Sequence, residues 1–312
     1  MTQLGAIGSH FAALVVPFTQ SLEVDEKALA AVCRHVLATK EIDGLVVNAN
    51  AGEVDALTEE ERLVVFRIAK EAAHKAGRKV VAGIVPIPDT NKAAARTAQQ
   101  MQEAGADALL LIGPKTFARG VDAVPDVAEA YARDVTSSVS IPIIYFMQGP
   151  LSGINYTPDL VARICSVKGI SAVKDTMWTS QGYDVNLRAI RRLGREVAVL
   201  TGNDNCLFHN FTSGADGTLL VLHCVMADAI VRMYAAVQAN DLKRAHKIHE
   251  QHEEFVGLLF QRPMLKMASR IKHVLYHMGV IPNNLTRAPV PVVSKEEAAA
   301  LEAHFKKLSK AA

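Results

Sequence analysis

Eight short runs rich in β-branched and other apolar residues recur along the 312-residue chain, each followed by a helix-period pattern. Strands are expected at residues 12–18, 44–49, 80–85, 108–112, 142–146, 170–174, 197–201 and 218–222. Helices are expected between them, among others at 58–75, 90–103, 127–137 and 157–166. Strict alternation of strand and helix implies parallel pairing through right-handed crossovers. Eight such units occupy ~250 residues in a closed barrel. The architecture expected is therefore α/β: a (β/α)8 TIM barrel over residues 1–225 with a C-terminal helical extension, 226–312, packed on it. Helices in the extension are expected at 226–239, 241–259, 263–278 and 295–309, with a proline-rich break at 281–293. A doubly wound sheet is the competing architecture, but no Gly-x-Gly-x-x-Gly turn follows a strand.

The same local signal introduces several strands. Glu103-Ala104-Gly105-Ala106-Asp107 precedes the fourth, Thr212-Ser213-Gly214-Ala215-Asp216-Gly217 the eighth, and Glu41-Ile42-Asp43-Gly44 the second. In each, a glycine is suited to end a helix in the left-handed conformation and to feed the next strand. Asp107 and Asp216 then fall at the end of the barrel opposite its chemistry, where a structural role is expected.

Composition narrows the function classes. The formal charge is +2 and the basic residues are scattered, so no patch or arm suited to nucleic acid emerges. The four cysteines include no C-x-x-C pair, which argues against a disulfide framework or zinc site and for a reducing compartment. The opening MTQLGAIGSHFAALVV has no basic region leading into a long apolar run and cleavage site. No stretch approaches the ~20 apolar residues of a membrane span. A cytoplasmic protein without membrane partners is expected.

In a barrel of this kind, reactive residues lie at the C-terminal strand ends and in the loops that follow. Strand six closes on Ala172-Val173-Lys174-Asp175-Thr176. A lysine ending an apolar strand is costly to bury unless paired, and desolvation favours its neutral, nucleophilic form. The alternative is a lysine that reaches the rim or pairs with Asp175. Tyr145 stands at the end of strand five, where its hydroxyl either moves protons beside such an amine or is an ordinary core phenol. Strand two runs into Asn48-Ala49-Asn50-Ala51-Gly52-Glu53, small residues that permit a tight loop whose backbone N–H groups can bind a carboxylate. Thr58 and Glu61 form a capping box for the next helix.

Together these segments resemble the dihydrodipicolinate synthase / N-acetylneuraminate lyase family of class I aldolases. The resemblance covers essentially the whole chain. It rests on Val15-Val16-Pro17-Phe18-Thr19, Ala51-Gly52-Glu53 with Leu57-Thr58, Ile141-Pro142-Ile143-Ile144-Tyr145, Val173-Lys174-Asp175-Thr176 and Arg287-Ala288-Pro289-Val290. It implies that Lys174 forms an imine with pyruvate or another small 2-oxo acid and that Tyr145 shuttles protons. It also implies that the Asn50–Ala51 loop holds the carboxylate and that main chain near Leu219 lines the site. Neither a cofactor nor a metal is implied, and a homotetramer is.

Departures from the family pattern bear on the substrate. Asn50-Ala51 stands where Thr-Thr or Ser-Thr is usual, so the hydroxyl that relays protons is missing, and an amide is a poor relay. Phe146 through Gly153 contain no arginine, and Pro114-Lys115-Thr116-Phe117 replaces a pair of tyrosines. True dihydrodipicolinate synthase activity is not expected. Thr176, Gly202 and Asp204 match positions that contact substrate hydroxyls in the sugar-acid lyases, although Asn205 replaces the usual acidic neighbour. A dehydratase or hydratase-aldolase on a 2-oxo acid, and a barrel that binds a 2-oxo acid without turnover, remain alternatives. A metal- or phosphate-dependent barrel lacks its acidic cluster or glycine-rich loop.

Other signals carry less. His246, His249 and His252, spaced three apart, drift around a helix and read as a solvated face, not a metal site. His223 and Cys224 are assigned to packing. Met177 and Trp178 are read either as walls of the site or as cover for the rim.

Overall fold

The computed structural model describes residues 7–311. The first six residues of the N-terminal segment and Ala312 lie outside the described residues. Eight strands close into a barrel in chain order: β1 (His10–Ala13), β2 (Gly44–Val47), β3 (Lys79–Ile84), β4 (Ala108–Ile112), β5 (Ile143–Met147), β6 (Ile170–Asp175), β7 (Ala198–Thr201) and β8 (Gly217–Leu220). Pairing is parallel from β1 to β2 and successively from β3 through β8. Burial on both faces explains why these strands read as apolar runs instead of alternating patterns.

β1 corrects the sequence expectation of 12–18. Residues 14–18 are as buried as the strand, but they leave the ladder after Leu14, whose N–H still donates to the Val46 carbonyl at 2.9 Å. Pro17 has no donor, and Phe18 turns instead to an antiparallel bridge with Val24.

The helices are α1 (Glu26–Leu37), α2 (Glu59–Lys75), α3 (Asn91–Glu103), α4 (Pro125–Thr136), α5 (Pro158–Ser166), α6 (Ser180–Arg191), α7 (Leu207–Thr212), α8 (His223–Gln238), α9 (Leu242–Phe260), α10 (Met267–His277) and α11 (Lys295–Ala311). Threonines at 58, 90, 157 and 179 cap the helices that follow them, each satisfying an N–H that the first turn leaves open. The Thr58–Glu61 box is complete, with both reciprocal bonds formed. α8 carries non-helical geometry at Met226, where the extension was expected to begin.

The chain divides into two compact units. One contains Lys79–Leu219 together with the chain up to His10. Here the repeated turn signal is a repeated clasp. Asp107 accepts from the Val80 N–H (2.8 Å) while its own N–H donates to the Val80 carbonyl (3.0 Å). Asp216 does the same to Val199, at 2.7 and 3.0 Å, and also receives Arg191. Gly105 (φ 93°) and Gly214 (φ 100°) supply the left-handed residue before each clasp.

The other unit joins Phe11–Arg78 to the chain from Leu220 onward. Lys272 of α10 is fully buried and forms an ion pair with Glu53, just past β2. Its Nζ lies 4.3 Å from the Phe18 ring centroid and donates to the Leu285 carbonyl at 3.2 Å. Arg287 stacks on the same ring at 4.5 Å and donates to the carbonyls of Leu22 (2.8 Å) and Ala56 (2.7 Å). The Arg287 guanidinium also grips Glu61 and holds its carboxyl below the usual range.

Candidate active site

Strand register in the first unit decides which side chains meet. Lys174 pairs with Phe146 on β5 and with Leu200 on β7, and directly paired residues of parallel strands point to the same side. The next residue, Asp175, points the other way. Its carboxylate accepts from the Asn186 side chain of α6 at 2.8 Å and from the Met177 N–H at 3.0 Å. Burial raises the Asp175 pKa to about 6 against these bonds. Asp175 therefore faces the helix layer and Lys174 the barrel interior. The alternative pairing of Lys174 with Asp175 is not the arrangement found.

Lys174 is only 8 % exposed. Its Nζ sits 4.1 Å from the centroid of the Phe146 ring. Burial draws its pKa down to about 8, and the negative charge of Asp204 opposes that fall. An amine that is partly neutral near pH 8 can attack a carbonyl carbon.

The loop after β7 closes one side of this lysine. A Cβ on Gly202 would lie 2.7 Å from both Lys174 Cε and Thr176 Cγ2, so the close approach requires glycine. Gly202 N–H donates to the Asp175 carbonyl at 2.6 Å, and Asn203 Oδ1 accepts from the Trp178 N–H at 2.8 Å. These bonds fix the segment that carries Asp204, itself 5 % exposed. Trp178 adopts a left-handed φ of 59° at this junction.

Thr176 donates its hydroxyl proton to the Met147 carbonyl at 2.8 Å, which leaves only its lone pairs for a ligand. The loop after β5 presses onto the same segment: a Cβ on Gly149 would fall 1.8 Å from the Thr176 carbonyl oxygen. Leu219 is buried on β8, two residues after Gly217, which pairs with Leu200; it thus shares the side of Lys174.

Tyr145 does not join this group. It pairs with Leu111 and Val173, on the face of β5 opposite Phe146. Its ring packs edge-on to Tyr156 with centroids 6.5 Å apart, and the whole side chain is buried. Burial pushes that hydroxyl well above the usual tyrosine range. The side chain beside Lys174 is Phe146, a residue for which strand five offered no compositional signal.

Asn50 and Ala51 belong to the second unit, in a 3-10 turn, Asn50–Gly52, directly after β2. Ala51 is buried and Asn50 exposed. A Cβ on Gly52 would meet the Leu14 carbonyl at 3.2 Å, which sets the tightness of the turn. The turn ends on Glu53 in the left-handed conformation (φ 51°), the residue paired with Lys272. Of the residues expected in the site, Lys174, Thr176, Gly202, Asp204 and Leu219 thus share one unit with Tyr145, which takes the opposite face of its strand, and Asn50 and Ala51 occupy the other.

Among the described residues no group of three or more His, Cys, Asp or Glu side chains is arranged to hold a metal ion. His246 pairs with Glu250, and His252 bonds the Ile248 carbonyl at 2.8 Å. His223 and Cys224 are buried, with the Cys224 thiol donating to the Ala13 carbonyl at 3.5 Å.

The chain is similar in sequence and fold to several known proteins. The model of the family described as "Dihydrodipicolinate synthetase family" matches residues 6–308. The 4-hydroxy-tetrahydrodipicolinate synthase of Kosmotoga olearia is 30% identical over 208 residues, 67% of this chain and 68% of that protein. The N-acetylneuraminate lyase of Salmonella agona is 24% identical over 300 residues, 96% of each chain. The crystal structure of dihydrodipicolinate synthase from Thermotoga maritima superposes with a TM-score of 0.85 at 20% identity, covering 97% of this chain and 99% of that one.

Proposed function

Because the chain belongs to the dihydrodipicolinate synthetase family, whose members are lyases and synthases of the aldolase type, we propose that it is a lyase that forms a Schiff base between Lys174 and pyruvate or a similar 2-oxo acid. The observation that carries this is the Lys174 amine itself: buried, on the interior face of β6, with a pKa drawn down to about 8. The neutral amine adds to the ketone, water leaves, and the resulting iminium withdraws electrons from the neighbouring carbon, so that a C–C bond there can form or break. The lysine supplies the electron sink, and we assign no cofactor or metal to the reaction.

The turn at Asn50–Ala51, by itself, has backbone N–H groups of the kind that suit a carboxylate. Within this reading Thr176, Gly202 and Asp204 contact the substrate, and the main chain at Leu219 lines the same side of the site. The synthase reaction ranks behind other lyase chemistry because residues 146–153 carry no arginine. Phe146 beside Lys174 favours, as the second reading, a dehydratase or a 2-oxo-acid-binding barrel over a phenol-assisted aldolase.

We also assign a homotetramer, as the resemblance to the family implies. No nucleic-acid or membrane partner is assigned; no helix among the described residues is long and apolar enough to cross a membrane. The cytoplasm is the proposed location, supported by cysteines of which none forms a disulfide.

Incubation with pyruvate and borohydride, followed by peptide mass spectrometry, tests the central claim. A reduced pyruvyl adduct on Lys174 is expected. An unmodified Lys174, or an adduct on another lysine, rules the reading out.

A further inference from the structure

The proposed imine chemistry requires a group that gives and takes protons beside the nitrogen, and the strand register removes the phenol expected to do so. Tyr145 lies on the helix-facing side of β5, while the position paired with Lys174 is Phe146, whose ring cannot exchange a proton. Asp175 is also turned away and is bonded to Asn186 and the Met177 N–H. Among the described residues, the charged side chain that acts on the Lys174 amine from within the same unit is Asp204. Asp204 is buried, two residues beyond the glycine that abuts Lys174 Cε, on a loop pinned by the Gly202–Asp175 and Trp178–Asn203 hydrogen bonds.

From this geometry we infer that Asp204 is the catalytic acid and base of the Lys174 imine. The inference rests on the Schiff-base reading above and assigns Asp204 a proton-transfer role in addition to substrate contact. The reaction sequence starts from a neutral Lys174 amine and a protonated Asp204. With the proton on Asp204, the free amine adds to the ketone and gives a carbinolamine. Asp204 then protonates the departing hydroxyl, which leaves as water as the C=N bond forms, so that iminium and carboxylate remain. The carboxylate next removes a proton from the carbon adjacent to the iminium, and that electron pair forms the enamine. No other reactant is needed. A carboxylate suits this role because one group can serve both steps, and positioned general acid–base groups contribute roughly 10²–10⁴-fold in rate.

The test separates the two claims. Wild type, Asp204→Asn and Asp204→Asn/Phe146→Tyr are compared in two measurements on the full chain. Borohydride trapping with pyruvate reads imine formation at equilibrium. Exchange of the pyruvate methyl protons for deuterium, followed by NMR, reads proton transfer. Asp204→Asn should still be trapped on Lys174, which also shows that the variant folds. Its methyl exchange should fall by about a hundredfold or more. Adding Phe146→Tyr should recover at least about tenfold of that loss by placing a phenol beside the nitrogen. Methyl exchange in Asp204→Asn within about threefold of wild type, with trapping intact, overturns the role of Asp204 and leaves the imine standing. Wild type that exchanges no methyl protons although Lys174 is trapped also overturns it, and absence of trapping in wild type overturns both.

Discussion

A buried lysine whose neighbouring carboxylate on the strand faces the other way is displaced toward neutrality, and under the proposed function this displacement is what would make Lys174 a nucleophile at accessible pH. The rate of adduct formation should therefore rise with pH from about 7, as the amine loses its proton, and level off above a pKa of about 8. The same displacement affects stability. The folded pKa lies below that of an exposed lysine, so the unfolded chain binds more protons between about 8 and 10.5. Stability from this group therefore increases as pH rises through that window and is lowest below it. Relative to Lys174→Met, the wild type should gain up to about 3 kcal/mol between pH 8 and 10.5 in denaturant titrations. A pH-independent difference between the two proteins would refute the displaced pKa.

At the scale of elements, the alternation of strand and helix was legible because each strand is bracketed by turn residues and each helix keeps its 3.6-residue period. The phase of β5 was not. All five of its residues are buried, so hydrophobicity cannot say which face Tyr145 or Phe146 takes. Lys174 was legible for the opposite reason, as a charge at the end of an apolar run, although its companion Phe146 was not. The first strand was misplaced because a buried loop and a buried strand are equally apolar, and only the backbone pairing separates them. The Asp107 and Asp216 clasps were legible as repeats before their bonds were known. Asp107→Asn and Asp216→Asn are each expected to cost about 1–3 kcal/mol, the loss of a charged acceptor for a buried strand N–H. Asp216→Asn should cost more, since it also releases Arg191. Urea midpoints in which either substitution is silent would show that the clasp contributes nothing.

For the molecule as a whole, the deciding contacts join distant parts of the chain, and these were the least legible of all. Glu53 and Lys272 are roughly 200 residues apart, and nothing local marks either as the other's partner. Among the described residues no further hydrogen-bond donor reaches the Glu53 carboxylate. Lys272→Met should therefore destabilise the protein by about 3–5 kcal/mol by leaving a buried charge unpaired. Lys272→Met combined with Glu53→Gln should recover much of that loss, and a double variant no more stable than the single one would contradict the pairing. The arrangement also sets an order on synthesis. At roughly 5–20 residues per second, the ribosome delivers Lys272 some 10 to 40 seconds after Glu53 has emerged. Throughout that interval Glu53, which ends the turn at Asn50–Gly52, lacks the ammonium that pairs with it, so a nascent or prematurely terminated chain cannot bury this carboxylate as an ion pair. The buried pair forms only with the last quarter of the polypeptide.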